Sequence, residues 1–201
     1  MAFVSESDEL AGLIAGLCAP DSASRERAAA ELFRRGRKLG RAAAGRWLAD
    51  SEFAKNFTLD DVQFPPTTVG IAVKPENFER IRAANGSPPL AEVPPDQDAK
   101  EFELHFPREV RLDILTTREP ARAGAIARYL AKFGERIQQV ELETHSVDAA
   151  TEILRSHFGI LPIYPATRPG ADGTRVNFFL TALPDGTKVL IELVELSTPH
   201  R

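Results

Sequence analysis

The feature that most constrains this chain is an order of elements that occurs twice. From Thr67, "TTVGIAV" alternates like a strand. "PENFERIRAAN" then has helical spacing and opens on a proline suited to a first turn. "AKEFELHF" and "VRLDILTT" read as two strands around the turn "PREV", and "AGAIARYLAKFG" as a helix ending at Gly134. The order then returns. "IQQVELET" is a strand, "SVDAATEILRSHFG" a helix closed by Gly159, and "LPIYPATRPGADG" a strand and loop. "TRVNFFLTAL" and "KVLIELVE" make a last hairpin around "PDGT". In the first copy, "GSPPLAEVPPDQD" is too proline-rich for a central strand and reads as an irregular edge or loop. Superposition pairs Val69 with Val140, Ile81 with Ile153, Gly86 with Gly159, and "LDIL" (112–115) with "IELV" (191–194). A repeated strand–helix–strand–strand–strand unit of roughly 50–60 residues predicts an α+β fold of two tandem βαβββ modules.

The N-terminal part follows another pattern. Leu10, Leu13, Ile14 and Leu17 recur at helical spacing, and "CAPDSAS" breaks the run. "RERAAAELFRRGRKLGRAAAGRWLAD" then resumes with strong helix formers, capped by either Asp21 or Ser24. The expected organisation is a helical segment over 1–60 and a two-module domain over 67–195, its modules at 67–117 and 137–195. Eight basic residues and two acidic ones lie between Arg25 and Arg46, in a chain of net charge −4. Such a stretch suits a phosphate or nucleic-acid contact; the simpler reading is a solvated face complementary to the acidic remainder.

Composition narrows the functions further. With 43% hydrophobic residues the chain can bury a core, and its net negative charge points away from nucleic acid or anionic membrane as the main partner. A single cysteine, Cys18, excludes an internal disulfide framework and all-cysteine metal sites. No apolar run approaches the roughly 20 residues of a membrane span, and "MAFVSESDEL" lacks the basic start of a signal peptide. The expected location is the cytoplasm. The expected partner is a small-molecule substrate or ligand, with no membrane and with a homodimer as an option.

Within "KVLIELVE" one residue is out of place. Glu192 interrupts a run of Val189, Leu190, Ile191, Leu193 and Val194, and shares a strand face with Leu190 and Val194. A buried, unpaired carboxylate costs several kcal/mol, so something polar must face it. The repeat pairs Glu192 with Asp113, which interrupts an aliphatic run in the same way, and Gln139 with Thr68. Glu101, Glu103 and His105 share one face of their strand, and Gln139, Glu141 and Glu143 one face of theirs. Glu103, Glu141 and Glu143 suit a half-exposed strand, and His105, His145 and His157 suit structural hydrogen bonding. Glu192 and Asp113 are the stronger functional candidates, on an inner face that lines a wet cleft.

"RPGADGTRVNFFL…GTKVLIELVE" (168–195) resembles the C-terminal half of the methylmalonyl-CoA epimerases, in the vicinal oxygen chelate (glyoxalase-like) superfamily. "AIARYLAKFGERIQQVELETHSVDAATEIL" is similar to the same family's linker helix and second module, and "TVGIAV" and "VRLDIL" to its first and fourth strands. The resemblance covers about 67–195 and leaves the helical N-terminus outside. It implies two modules whose curved sheets enclose a divalent metal, with ligand positions falling on Thr68, Asp113, Gln139 and Glu192. Thr68 and Gln139 stand where the family carries histidines. Asp113, Gln139 and Glu192 form an all-oxygen set that suits Mg²⁺, Mn²⁺ or Ca²⁺, or no metal at all. The resemblance further implies proton transfer next to a carbonyl, as in a CoA thioester, by two glutamates, Glu192 and Glu101. The alternative on the same fold is a metal-free small-ligand-binding protein without catalysis.

Overall fold

The computed structural model describes residues 6–119 and 124–196. The first five residues of the expected N-terminal segment lie outside them. The elements in chain order are α1 (Glu6–Gly16), α2 (Ser22–Leu48), α3 (Ser51–Ala54), β1 (Thr67–Ala72), α4 (Pro75–Ala84), β2 (Ala99–Phe106), β3 (Val110–Thr117), α5 (Ala125–Phe133), β4 (Arg136–Glu143), α6 (Val147–Phe158), β5 (Arg168–Pro169), β6 (Arg175–Ala182) and β7 (Lys188–Glu195). The architecture is α+β with a helical N-terminal segment, as expected. Asp21 caps α2, its carboxylate accepting from the Ser24 N–H at 2.8 Å. No described helix is long and apolar enough to cross a membrane.

The chain divides into two compact units, one holding residues up to Gly36 with Val69–Gln138, the other Arg37–Thr68 with the residues from Gln139 onward. In the first, the strand order is β2-β3-β1, with β1 parallel and β2 antiparallel to β3. One sheet face, carrying Val69, Ile71, Phe102, Leu104, Leu112 and Ile114, packs on Phe78 and Ile81 of α4, Ile14 and Leu17 of α1, and Leu32 of α2. Phe78 meets Phe102 edge to face at 4.8 Å. The β2–β3 hairpin turns through Arg108 (φ 63) and Glu109 (φ 58), a doubly left-handed turn made without the usual Asn-Gly.

In the second unit the order is β4-β7-β6-β5, with β4 parallel and β6 antiparallel to β7. Val140, Leu142, Phe179, Ile191 and Leu193 pack there with Leu154 of α6, Phe53 of α3 and Trp47 of α2. Trp47 sits edge-on to both Phe53 and Phe179, at 6.2 and 6.3 Å. Register makes the repeat concrete. Val69 lies opposite Leu112 in the first unit, and Val140 opposite Ile191 in the second.

One expectation needs correcting. The second-module strand read from "LPIYPATRPGADG" shrinks to Arg168–Pro169. Pro162, Pro165 and Pro169 have no N–H to donate, so the segment joins β6 by little more than the Ile163 N–H to Phe178 carbonyl bond at 2.7 Å. In the first unit the proline-rich 86–98 segment is the loop that was expected. It touches β2 through the Ala91 N–H, which donates to the Glu101 carbonyl at 3.0 Å.

Helix α2 owes its place in each unit to a missing side chain. A Cβ added at Gly36 would stand 2.6 Å from Val69 Cγ2, and one added at Gly40 would stand 2.8 Å from Val140 Cγ1. Such separations force the valine or the helix to move. Gly36→Ala and Gly40→Ala are each expected to destabilise the protein by about 1–3 kcal/mol despite the better helix propensity of alanine. Gly45→Ala, with nothing within 4 Å of the new methyl, is expected to stabilise it by up to about 1 kcal/mol. Urea unfolding of the three variants checks this, and equal effects at all three sites would show that the close approach is not what matters.

On the surface of α2, Glu31 is held by the guanidinium groups of Arg34 and Arg35, which bring its carboxyl down from the ordinary 4.5 to about 2. A lowered folded-state value stabilises the protein above the unfolded value and ceases to do so as pH falls through the folded one. The stability difference between wild type and Glu31→Gln, a few tenths of a kcal/mol for such exposed pairs, is therefore expected to be constant above pH 4.5 and to vanish as pH approaches about 2. Urea midpoints measured across that range check the sign.

Candidate functional site

Strand alternation puts one apolar and one polar face on each sheet, and the helices cover the apolar one. In the second unit the register defines the polar face residue by residue. Phe178 lies opposite Glu192, Val176 opposite Val194, and Leu180 opposite Leu190; across the parallel pair, Glu141 lies opposite Glu192. Glu192 is only 7% exposed and Gln139 only 8%. The Gln139 amide explains how a carboxylate persists there: its Nε2 donates to Glu192 Oε2 at 2.6 Å and to Glu141 Oε1 at 3.2 Å. One amide nitrogen thus serves two carboxylates, and the bond to a buried, charged acceptor is among the stronger kinds.

In the first unit Asp113 occupies the matching place on β3 at 7% exposure, opposite Gly70 of β1 and Glu103 of β2. Glu101 lies opposite Leu115, two residues along the same face. His105 bonds Glu103, Nε2 to Oε2, at 2.9 Å on the exposed part of β2. His145 bonds the Thr58 hydroxyl at 3.0 Å and His157 bonds Asp50 at 3.1 Å, both as structural groups. Of the predicted site residues, the structure brings Gln139 and Glu192 together in the second unit and places Glu101 and Asp113 on the polar face of the first.

Sequence reading missed a row of side chains on that second-unit face. Arg168 of β5 lies opposite Val176, so it shares the face of Phe178 and Glu192. Its guanidinium lies 4.2 Å from the centroid of the Tyr164 ring, and that ring meets Phe178 edge-on at 5.9 Å. No periodicity marks Tyr164 and Arg168 in "YPATRPG"; only the pairing of β5 with β6 reveals them. A depression of about 510 Å³ lies elsewhere, beside α6, with Thr151, Arg155, Leu161, Ile163 and Asn177 in its lining. Asn177 points to the opposite sheet face from Phe178, so this depression is separate from Glu192.

The basic stretch of α2 is bonded to its own surroundings. Arg25 donates to the Ala19 and Pro20 carbonyls, Arg35 pairs with Glu9 and Glu31, Arg37 pairs with Asp60, and Arg41 donates to the Val62 carbonyl. Arg37 and Arg41 also lie over the Phe64 ring, at 5.6 and 5.7 Å.

A divalent metal asks for ligands that these residues do not offer well. Among the described residues no three His, Cys, Asp or Glu side chains are grouped to hold one. The Gln139 amide turns N–H donors, not its oxygen, toward Glu192, and a threonine hydroxyl at position 68 is a weak ligand. The set does not fit a resident transition metal. Mass spectrometry of tag-free protein is accordingly expected to find no stoichiometric Mn, Co or Zn. Stoichiometric metal in the wild type, lost in Glu192→Gln, would overturn that judgement.

No family sequence model matches the chain, and neither does the sequence of any curated protein. Solved structures do. A Mycobacterium tuberculosis methylmalonyl-CoA epimerase is 30% identical over 65% of this chain and 87% of its own, with a TM-score of 0.52. A Streptomyces coelicolor methylmalonyl-CoA epimerase variant in complex with 2-nitronate-propionyl-CoA is 25% identical over 65% of this chain and 96% of its own, with a TM-score of 0.50. A methylmalonyl-CoA epimerase in complex with methylmalonyl-CoA and NH₄⁺ is 26% identical, covering 65% and 93%, with a TM-score of 0.50. This chain is thus similar in fold to methylmalonyl-CoA epimerases, of the glyoxalase type, over about two thirds of its length.

Proposed function

We propose that the chain is a member of the vicinal oxygen chelate superfamily that binds an acyl thioester and moves the proton on the carbon next to its carbonyl, as an epimerase or lyase does. The observation that carries this reading is Glu192, a buried carboxylate held in the middle of β7 by Gln139. Proton abstraction needs a carboxylate whose position is set before the substrate arrives. The strand sets the backbone, and the amide holds Oε2. In this reading Oε1 takes the proton. The likeness to epimerases, two of them solved with CoA thioesters or their analogues, supports the substrate class. Glu101 is the second glutamate, returning a proton as the family resemblance implies, and the two-module domain over 67–195 is the part that performs the reaction. No step here passes through a metal, and hydrogen-bond donors must offset the charge developing on the thioester oxygen.

A second reading is a binding protein that performs no reaction. The Gln139 amide favours it, since it already occupies Oε2 of Glu192 and Oε1 of Glu141 with no substrate present.

Deuterium wash-in to methylmalonyl-CoA in D₂O separates the two. The wild type is expected to exchange the α-proton, and Glu192→Gln to lower the rate by about 10²–10⁴-fold. Glu101→Gln is expected to lose epimerisation while still exchanging one enantiomer. Thioester binding without any wash-in would leave the binding protein standing and remove the enzyme.

A further inference from the structure

We infer that Glu141 is a positioning residue for Glu192, acting through the amide of Gln139, an inference that rests on the reading of Glu192 given above. Residues opposite each other in neighbouring strands share a face, and Glu141 stands opposite Glu192 in the parallel pairing of β4 with β7. Like charges directly opposite in a sheet are destabilising, the more so when one of them is buried as Glu192 is. One nitrogen joins them: Gln139 Nε2 donates to Glu192 Oε2 at 2.6 Å and to Glu141 Oε1 at 3.2 Å. The fold itself does not demand this arrangement. In the first unit the residue opposite Asp113 is Gly70, so the matching place carries no side chain at all. A local rule broken in one copy of the repeat, where the architecture does not require it, points to function.

The second bond decides which way the amide faces. A glutamine amide presents N–H donors on its nitrogen and an acceptor on its oxygen. Glu192 by itself selects the donors only while it is charged. In the reaction the α C–H bond breaks, a bond from the proton to Glu192 Oε1 forms, and the electron pair passes to the thioester carbonyl. Glu192 is then an acid, and a turned amide would accept its proton through Oε2, away from the carbon that must receive it back. Glu141 is still a carboxylate at that moment, and turning would set the Gln139 oxygen against it in place of an N–H. The amide therefore stays a donor to both, Oε2 stays an acceptor, and the proton has only Oε1 to occupy. Gln139 is buried, so bulk water does not supply the turned amide with other partners.

Steady-state epimerisation of methylmalonyl-CoA by the full chain, with deuterium wash-in alongside, tests this through a double-mutant cycle. E141L, which removes the acceptor at similar size, is expected to lower kcat about tenfold or more and to leave KM within about twofold of wild type. E141Q keeps a neutral acceptor oxygen and is expected to fall in between. Because Glu141 acts through Gln139, adding E141L to Q139L is expected to cost nothing further. If E141L does not fold, the same cycle is run with E141Q, whose smaller loss is likewise expected to vanish beside Q139L. A wild-type kcat in the folded variants, or losses that add in the double variant, overturns the inference and leaves Glu192 untouched. A raised KM with unchanged kcat overturns it as well, since Glu141 would then hold the substrate and not the amide. No wash-in by the wild type removes the reading of Glu192, and this inference with it.

Discussion

A helix can approach a β-strand to methyl contact only where it carries no side chain of its own. Gly36 and Gly40 provide that gap, one helical turn apart, and each is filled by the branched side chain of a strand valine. The two valines, Val69 and Val140, hold the same place in the two copies of the repeat. Each starts the parallel pairing that sets its sheet's register. From that register follows which residues point at helices and which do not, and so also where Glu192 and Asp113 stand. Nothing in the basic character of α2 is needed for this, since its arginines pair largely with nearby carboxylates, carbonyls and rings.

Much of this was legible in the sequence because it is local. Short apolar runs bounded by turn residues announced β1, β2, β3, β4, β6 and β7; 3–4 spacing announced α1, strong helix formers α2, an opening proline α4, and closing glycines α5 and α6. Pro75, Ser146 and Gly159 marked helix ends where the structure has them. Asp113 and Glu192 stood out because each breaks an aliphatic run, and the structure places both on polar faces in matching register. The readings that failed or were absent depend on partners distant in sequence. Nothing near Arg168 tells that it will lie across from Val176, and nothing near Gly36 tells that Val69 will fill its gap. The strand expected within 161–173 is present but only two residues long, because prolines at 162, 165 and 169 have no N–H to extend the ladder.

The two copies have also parted in chemistry while keeping their geometry. One polar face carries Glu101, Glu103, His105, Arg111 and Asp113. The other carries Phe178, Leu180, Leu190 and a single held carboxylate at the matching position, with Glu141 and Gln139 beside it. The same backbone therefore presents charged side chains on both β2 and β3 in one copy, and in the other carboxyl groups on β4 and β7 with apolar residues opposite them on β6. A charge in apolar surroundings interacts more strongly with whatever polar group is brought to it.

The proline-rich segments have a consequence beyond their own shape. In each unit the outer long strand, β2 or β6, has such a segment beside it, 86–98 in the first and 161–169 in the second, tied through Ala91 and Ile163. A bare strand edge is a template on which another polypeptide can add its own backbone, the first step toward fibrils and insoluble assemblies. Segments short of N–H donors occupy those edges without offering a fresh ladder in their place. The prolines that keep 86–98 a loop and cut β5 to two residues thus also work against edge-to-edge association.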